Sequence, residues 1–174
     1  SLAAASPKDH MDWNWGPVIA YSTEAFRSYA RVRLKTGDKV SVRSYEPYNV
    51  EDKYSLNRPL PYTGGDLDYV RAVINTFRKM DYSLQAMDIE LKTAIPVGTG
   101  LSPSAALCVS VAHALSVACS FALSPVELAN IAYVADGIVK SLNGRVAPPQ
   151  RHTWEEWSEK KILEMLNLIH ASKF

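Results

Sequence analysis

The stretch "PVGTGLSPSAAL", from Pro96 to Leu107, lies between a segment of strictly alternating side chains and a long apolar run. Before it, Met87, Ile89 and Leu91 alternate with Asp88, Glu90 and Lys92, the period of a strand with one buried face. After it comes "AALCVSVAHALSVACSFAL", which reads as a buried helix because it carries His113 and several Ser. The stretch is therefore a strand-to-helix turn. Gly98 and Gly100 let the backbone bend and come close to a ligand. Ser102 is placed as the helix N-cap and Pro103 at the first helical position. Ser104, Ala105 and Ala106 keep the first turn uncrowded, which leaves free amides at a positive helix end suited to phosphate. A plain glycine turn ahead of a core helix would look the same at the glycines alone.

Working outward, "YARVRL" (Tyr29 to Leu34) and "KVSVRS" (Lys39 to Ser44) alternate around "KTGD" and read as a hairpin turning at glycine. Residues 45–65 carry Pro47, Pro59, Pro61 and paired glycines and read as an irregular excursion. Leu67, Val70, Val73, Ile74 and Phe77 then recur at helical spacing, predicting a helix from near Asp66. The predicted order is strand, strand, helix, strand, helix: an α/β chain of the two-layer α+β kind.

The chain has 174 residues, 47% hydrophobic and 21% charged, enough for one globular domain with a sizeable core. Its 19 Lys and Arg against 18 Asp and Glu give a net charge of +1, so no global field draws it to nucleic acid or anionic lipid, and neither partner is expected. Cys108 and Cys119 are set too far apart along one helix to pair, and two thiols without ligand spacing point to a reducing, cytoplasmic setting. "SLAAASPKDH" reaches charge before any apolar h-region forms, so no secretory signal is read there. A Walker A loop is excluded because no Lys lies between Lys92 and Lys140, and a dinucleotide fingerprint because Pro103 stands where its third glycine belongs.

Asp9, His10 and Asp12 place three hydrogen-bonding side chains within one short segment, with Trp13 and Trp15 beside them as ring-stacking surfaces. Carboxylates accept paired sugar hydroxyls well. No other His or Cys sits at metal-ligand spacing. A solvated polar arm is the plainer reading of the same residues. Farther along, "TWEE" forms a capping box with Thr153 and Glu156, and Trp154, Trp157, Ile162, Met165, Leu166 and Ile169 follow at helical spacing. That amphipathic helix is expected either to cover an open sheet face or to bind a partner.

The opening stretch resembles the phosphate-binding motif of the GHMP kinases, Pro-x-Gly-x-Gly-Leu-x-Ser-Ser-Ala-Ala, at Pro96, Gly98, Gly100, Leu101, Ser104, Ala105 and Ala106. "KDHMDWNWGPVIA" is similar to the sugar motif of galactokinase-type members, Gly-Glu-His-Thr-Asp-Tyr-Asn-Gly-Gly-Pro-Val, and "SPVELANIAYVAD" to the helix after the phosphate loop. The resemblance implies a GHMP kinase N-terminal domain, with the ribosomal protein S5 domain 2-like fold, over residues 1–142 and a divergent tail over residues 143–174, without the family's second domain. It implies ATP-dependent phosphorylation of a monosaccharide with ATP and Mg²⁺. By position, Asp9, His10 and Asp12 would contact the sugar, and Pro96, Gly98, Gly100, Leu101, Ser102, Ser104 and Ala105 would cradle ATP. Ser104 and Asp136 would face the metal, although Asp136 also reads as a helix-terminal residue before Gly137. The family's base loop, Gly-x-Pro-x-Gly-x-x-Asp, is replaced by "GIVKSLNGRVAPPQ", which holds no acid, and Pro-Gly-Arg-Val-Asn-Leu by "SLAAASPK". Both ends are therefore expected to be truncated or replaced. The implied activity is impaired catalysis or, alternatively, a non-catalytic sugar- or nucleotide-binding remnant.

Overall fold

The computed structural model describes residues 26–58, 60–96 and 101–143. In chain order they form strands β1 (Ser28–Leu34), β2 (Lys39–Ser44) and β3 (Val50–Ser55), helix α1 (Asp68–Lys79), strand β4 (Met87–Thr93) and helices α2 (Pro103–Ala118) and α3 (Pro125–Leu142). The strands make one sheet in the order β1-β4-β2-β3. Met87, Ile89 and Leu91 of β4 and Val40 and Val42 of β2 point into the core, where Val73, Ile74 and Phe77 of α1, Leu115 of α2 and Ile131 of α3 meet them. The result is a two-layer α+β fold, sheet against helices.

The opposite sheet face is charged. Arg31 pairs with Glu90, Lys35 Nζ lies 2.5 Å from Asp88 Oδ1, and Arg43 Nη2 lies 2.7 Å from Glu51 Oε1. Among the described residues the large exposed apolar side chains include Val109 and Val117 on α2 and Tyr133 and Leu142 on α3.

Two sequence expectations are corrected here. β1 and β2 do not pair as a hairpin. β4 lies between them, antiparallel to β1 from Ser28↔Thr93 to Leu34↔Met87 and parallel to β2 from Val40↔Met87 to Ser44↔Leu91. The physical reason is charge. The outward residues of β1 (Arg31, Arg33) and of β2 (Lys39, Arg43) are basic, and setting like charges opposite each other is unfavourable. The outward Asp88 and Glu90 of β4 satisfy both neighbours, with Arg31 opposite Glu90 and Arg33 opposite Asp88. The link from Lys35 to Asp38 is therefore a step across the end of β4, made at Gly37 with φ 106° and fastened by the Lys35 amide donating to the Ala86 carbonyl at 2.7 Å.

The second correction concerns residues 45–65, which contain β3, paired along β2 from Lys39↔Ser55 to Ser44↔Val50. Its half-buried face is Val50, Asp52 and Tyr54, so a carboxylate sits where the strand pattern wants an apolar residue. Arg71 of α1 makes that tolerable. Its Nε donates to Asp52 Oδ2 at 2.8 Å, its Nη1 donates to the Pro61 carbonyl at 2.6 Å, and its guanidinium lies 5.2 Å over the Tyr54 ring. Asp68 opens α1 by accepting from the Thr63 and Gly64 amides at 2.9 and 2.7 Å, which folds the excursion down onto the helix.

Candidate functional site

β4 carries the chain to Pro96, and α2 restarts it at Pro103. The expected strand and helix are thus in place on either side of residues 97–100, which lie outside the described residues. Pro103 occupies the first turn of α2 as the sequence predicts, and Ser102 is the N-cap, but its side chain makes no capping hydrogen bond. Ser102 instead adopts a left-handed backbone, φ 51° and ψ 55°, a conformation that costs a non-glycine residue energy and recurs at functional turns. Leu101, Ser104, Ala105 and Ala106 are half-buried around this start, leaving the first turn without a bulky side chain. Gly98 and Gly100, and the sugar-motif residues Asp9, His10 and Asp12, lie outside the described residues, as do "TWEE" and the helix predicted after it.

α3 begins with a complete capping box: the Ser124 amide donates to Glu127 Oε2 at 2.7 Å and the Glu127 amide to Ser124 Oγ at 3.3 Å. These bonds hold the Glu127 carboxyl below the usual range, the bond from the Ser124 amide contributing most. α3 then runs through Gly137 to Leu142, so Asp136 is not helix-terminal as the sequence had allowed. Asp136 is buried to 13% side-chain exposure, with Oδ2 2.5 Å from Lys140 Nζ one turn on. Its Oδ1 is buried and meets no hydrogen-bond partner among the described residues. Cys108 of α2 sits beside this pair. Burial pushes its thiol well above the ordinary range, the Asp136 charge adds to that rise, and the Lys140 charge opposes it. Cys108 and Cys119 are both free, as expected.

Lys140 is the residue sequence reasoning passed over. The i,i+4 spacing from Asp136 was visible, but ending the helix at Gly137 removed the geometry that gives the spacing meaning. An open hollow of about 600 Å³ lined by His113, Ser116, Val117, Phe121 and Leu128 lies at the far end of α2. It is separated from Ser104 by most of the length of the helix.

Residues 68–147 match the family described as GHMP kinases N terminal domain. The described residues have the fold of a GHMP kinase N-terminal domain. The match opens at the first residue of α1 and takes in β4, α2 and α3, the elements that carry the turn. Galactokinase from Thermosipho africanus (strain TCF52B) is 30% identical over 135 residues, covering 78% of this chain and 36% of that protein. Galactokinase from Thermotoga neapolitana is 31% identical over 131 residues, covering 74% of this chain and 35% of that protein. The chain thus spans about a third of the length of these relatives. Among solved structures, Lactococcus lactis galactokinase complexed with galactose superposes with a TM-score of 0.60 at 20% identity, over 66% of this chain and 30% of that one. The Methanococcus jannaschii mevalonate kinase gives 0.58 at 20% identity, over 71% and 39%. No helix among the described residues is long and apolar enough to cross a membrane.

GHMP kinases imply a divalent cation with the nucleotide, and the described donors can be tested for one. No group of three or more His, Cys, Asp or Glu comes together among the described residues. Ser104 and Asp136, the two residues the resemblance places at a metal, offer one hydroxyl and one carboxylate, and Lys140 already holds an oxygen of that carboxylate. Mg²⁺ bound with a nucleotide takes one or two carboxylates from the protein and fills its six positions with phosphate oxygens and waters, so a hydroxyl and a carboxylate are the donor types it would use.

Proposed function

We propose that this domain binds ATP through the turn from Pro96 to Ala105 and a monosaccharide through Asp9, His10 and Asp12, the division of labour of a galactokinase-like sugar kinase. The observation that carries the reading is the join of β4 to α2: a strand delivers "PVGTGLS" to the start of a helix whose first turn is small and uncrowded. Backbone amides there can hold an anion without any side-chain charge. Family membership and the galactokinase relatives support the sugar class. Phosphoryl transfer needs the nucleotide, the acceptor hydroxyl and charge neutralisation brought together, and Mg²⁺ supplies part of that neutralisation when it arrives on ATP.

A second reading, binding without efficient turnover, is favoured by one observation. α3 continues as helix through residues 137–142, and that segment, "GIVKSL", contains no carboxylate to serve as base. Loss of general-base help typically lowers rate by about 10²- to 10⁴-fold. The chain is therefore expected to bind ATP and galactose while producing ADP far below an ordinary enzyme rate of ~10 s⁻¹. Calorimetric titration with each ligand, alongside galactose-dependent ADP release, tests both readings. Asp12→Ala should weaken galactose binding by about 1.5 to 3 kcal/mol, the range for hydrogen bonds to charged groups. Unchanged sugar affinity in that variant removes the sugar assignment.

A further inference from the structure

Strand register lays out the sheet face turned away from the helices. Its side chains form rows across the four strands. Tyr29 stands opposite Lys92, and Tyr45, whose amide donates to the Leu91 carbonyl at 2.9 Å, continues that row on the other side of β4. The next row is Arg31, Glu90, Arg43 and Glu51, and the one after it Arg33, Asp88, Ser41 and Lys53. Lys35 and Lys39 follow, on either side of the start of β4. Seven cationic side chains thus share one face with three carboxylates. The net charge of +1 for the whole chain conceals this segregation.

Arg31, Lys35 and Arg43 are engaged with Glu90, Asp88 and Glu51. Lys39, Lys53 and Lys92 are exposed and have no ion-pair partner among the described residues. Two aromatic rings lie on the same face, Tyr29 at 55% exposure and Tyr45 at 41%. The Tyr45 hydroxyl lies 3.5 Å from Glu90 Oε1, one row on, so its ring lies along the sheet. One strand separates the two tyrosines, which sets them roughly 10 Å apart with Lys92 between them.

A second copy of this chain would set like charges against each other on such a face. An acidic peptide would answer the lysines but offer the tyrosines nothing flat to stack on. A single-stranded nucleic acid answers both, with phosphates on the ammonium groups and bases on the rings. The acids of β4 select between its two kinds. Asp88 and Glu90 repel phosphate, yet they accept hydrogen bonds from ribose 2′-hydroxyls, which deoxyribose lacks.

We propose that the outer sheet face binds single-stranded RNA, with bases stacked on Tyr29 and Tyr45 and phosphates held by Lys39, Lys53 and Lys92. This surface is independent of the nucleotide and sugar sites proposed above.

The test is fluorescence anisotropy of the full chain with labelled oligouridine and oligodeoxyuridine of about 12 nucleotides, the span of a single-strand site. It is run over a salt series and against polyglutamate as competitor. Native protein should bind oligouridine at low salt, and the logarithm of affinity should fall against the logarithm of salt with a slope of about −2, roughly 0.7 for each of three phosphates. Replacing both Tyr29→Ala and Tyr45→Ala should weaken binding at least about tenfold through two lost stacks. Lys53→Gln and Lys92→Gln should each weaken it about two- to fivefold at low salt and make the salt slope shallower by roughly 0.7. These lysines are exposed and unpaired, so both variants should keep the native unfolding midpoint and test the surface separately from the tyrosines. Oligodeoxyuridine should bind at least about threefold more weakly than oligouridine, for want of the 2′-hydroxyls. The proposal is overturned if folded native protein does not bind oligouridine at low salt, or if the double tyrosine variant or both lysine variants bind like the native chain. Equal binding of the deoxy oligomer also overturns it, as does displacement by polyglutamate at equal charge concentration, which would mark the face as a dock for an acidic protein.

Discussion

Arg71 shows how much a single buried residue decides in this fold. It is 8% exposed, with Nη2 2.6 Å from Asp52 Oδ2 and Nε 3.8 Å from Asp68 Oδ1, and it ties β3, the Pro61 carbonyl and α1 together. Removing the cation leaves the buried Asp68 and half-buried Asp52 carboxylates without the positive charge that faces them. Arg71→Met is therefore expected to cost about 3 to 5 kcal/mol in urea unfolding, as for other broken buried pairs. Arg71→Lys should recover little of it, because an ammonium cannot make the forked contact with Asp52 and the Pro61 carbonyl at once. A loss below about 1 kcal/mol for Arg71→Met would mean that the pair behaves like a surface one. None of this was legible beforehand. Asp52 breaks the alternation of β3, and its partner lies on a different element, so the sequence alone offered a charged loop where the chain builds a strand.

At the scale of elements, the strand and helix on either side of residues 97–100 were readable because their signals are local. Alternation marks β4, proline and small residues mark the start of α2, and both lie within one short stretch. Sheet order was not readable from alternation, which fixes the face a side chain takes but not the strand beside it. The outward charges did carry that information, basic on β1 and β2 and acidic on β4, had they been weighed against the glycine turn. The capping box of α3 gives this scale its prediction. Glu127 has its pKa lowered by hydrogen bonds that exist only in the folded helix. A lowered carboxylate pKa stabilises the fold above the unfolded value, and that contribution is lost as pH falls through the folded value. Native protein should therefore lose melting temperature between roughly pH 5 and pH 3 by more than Glu127→Gln does, measured as the difference between the two profiles. Parallel profiles would show that the box adds nothing dependent on charge. Ser124→Ala, which removes the other half, should cost about 1 kcal/mol at neutral pH.

For the whole molecule, the proposed site follows from the way the two layers meet. Among the described residues the helices lie on one side of the sheet, ion pairs line the other, and the proposed phosphate turn joins β4, a central strand, to α2, which packs on β1, α1 and α3. A ligand bound at that turn touches the part of the fold that opens only on global unfolding, so its binding energy should appear as stability. At a nucleotide concentration one hundred times Kd the gain is about 2.7 kcal/mol. For a chain of this size that corresponds to a rise in melting temperature of roughly 5 to 11 °C. ATP should produce this shift, and galactose at the same multiple of its own Kd should produce one of similar size. With both present the shifts should add if the two sites are separate, and exceed the sum if one ligand orders the other's site. A shift with ATP alone would keep the phosphate turn and discard the sugar assignment. No shift with either, in a protein that still unfolds cooperatively, would leave a well-built GHMP kinase domain whose glycine turn serves packing alone.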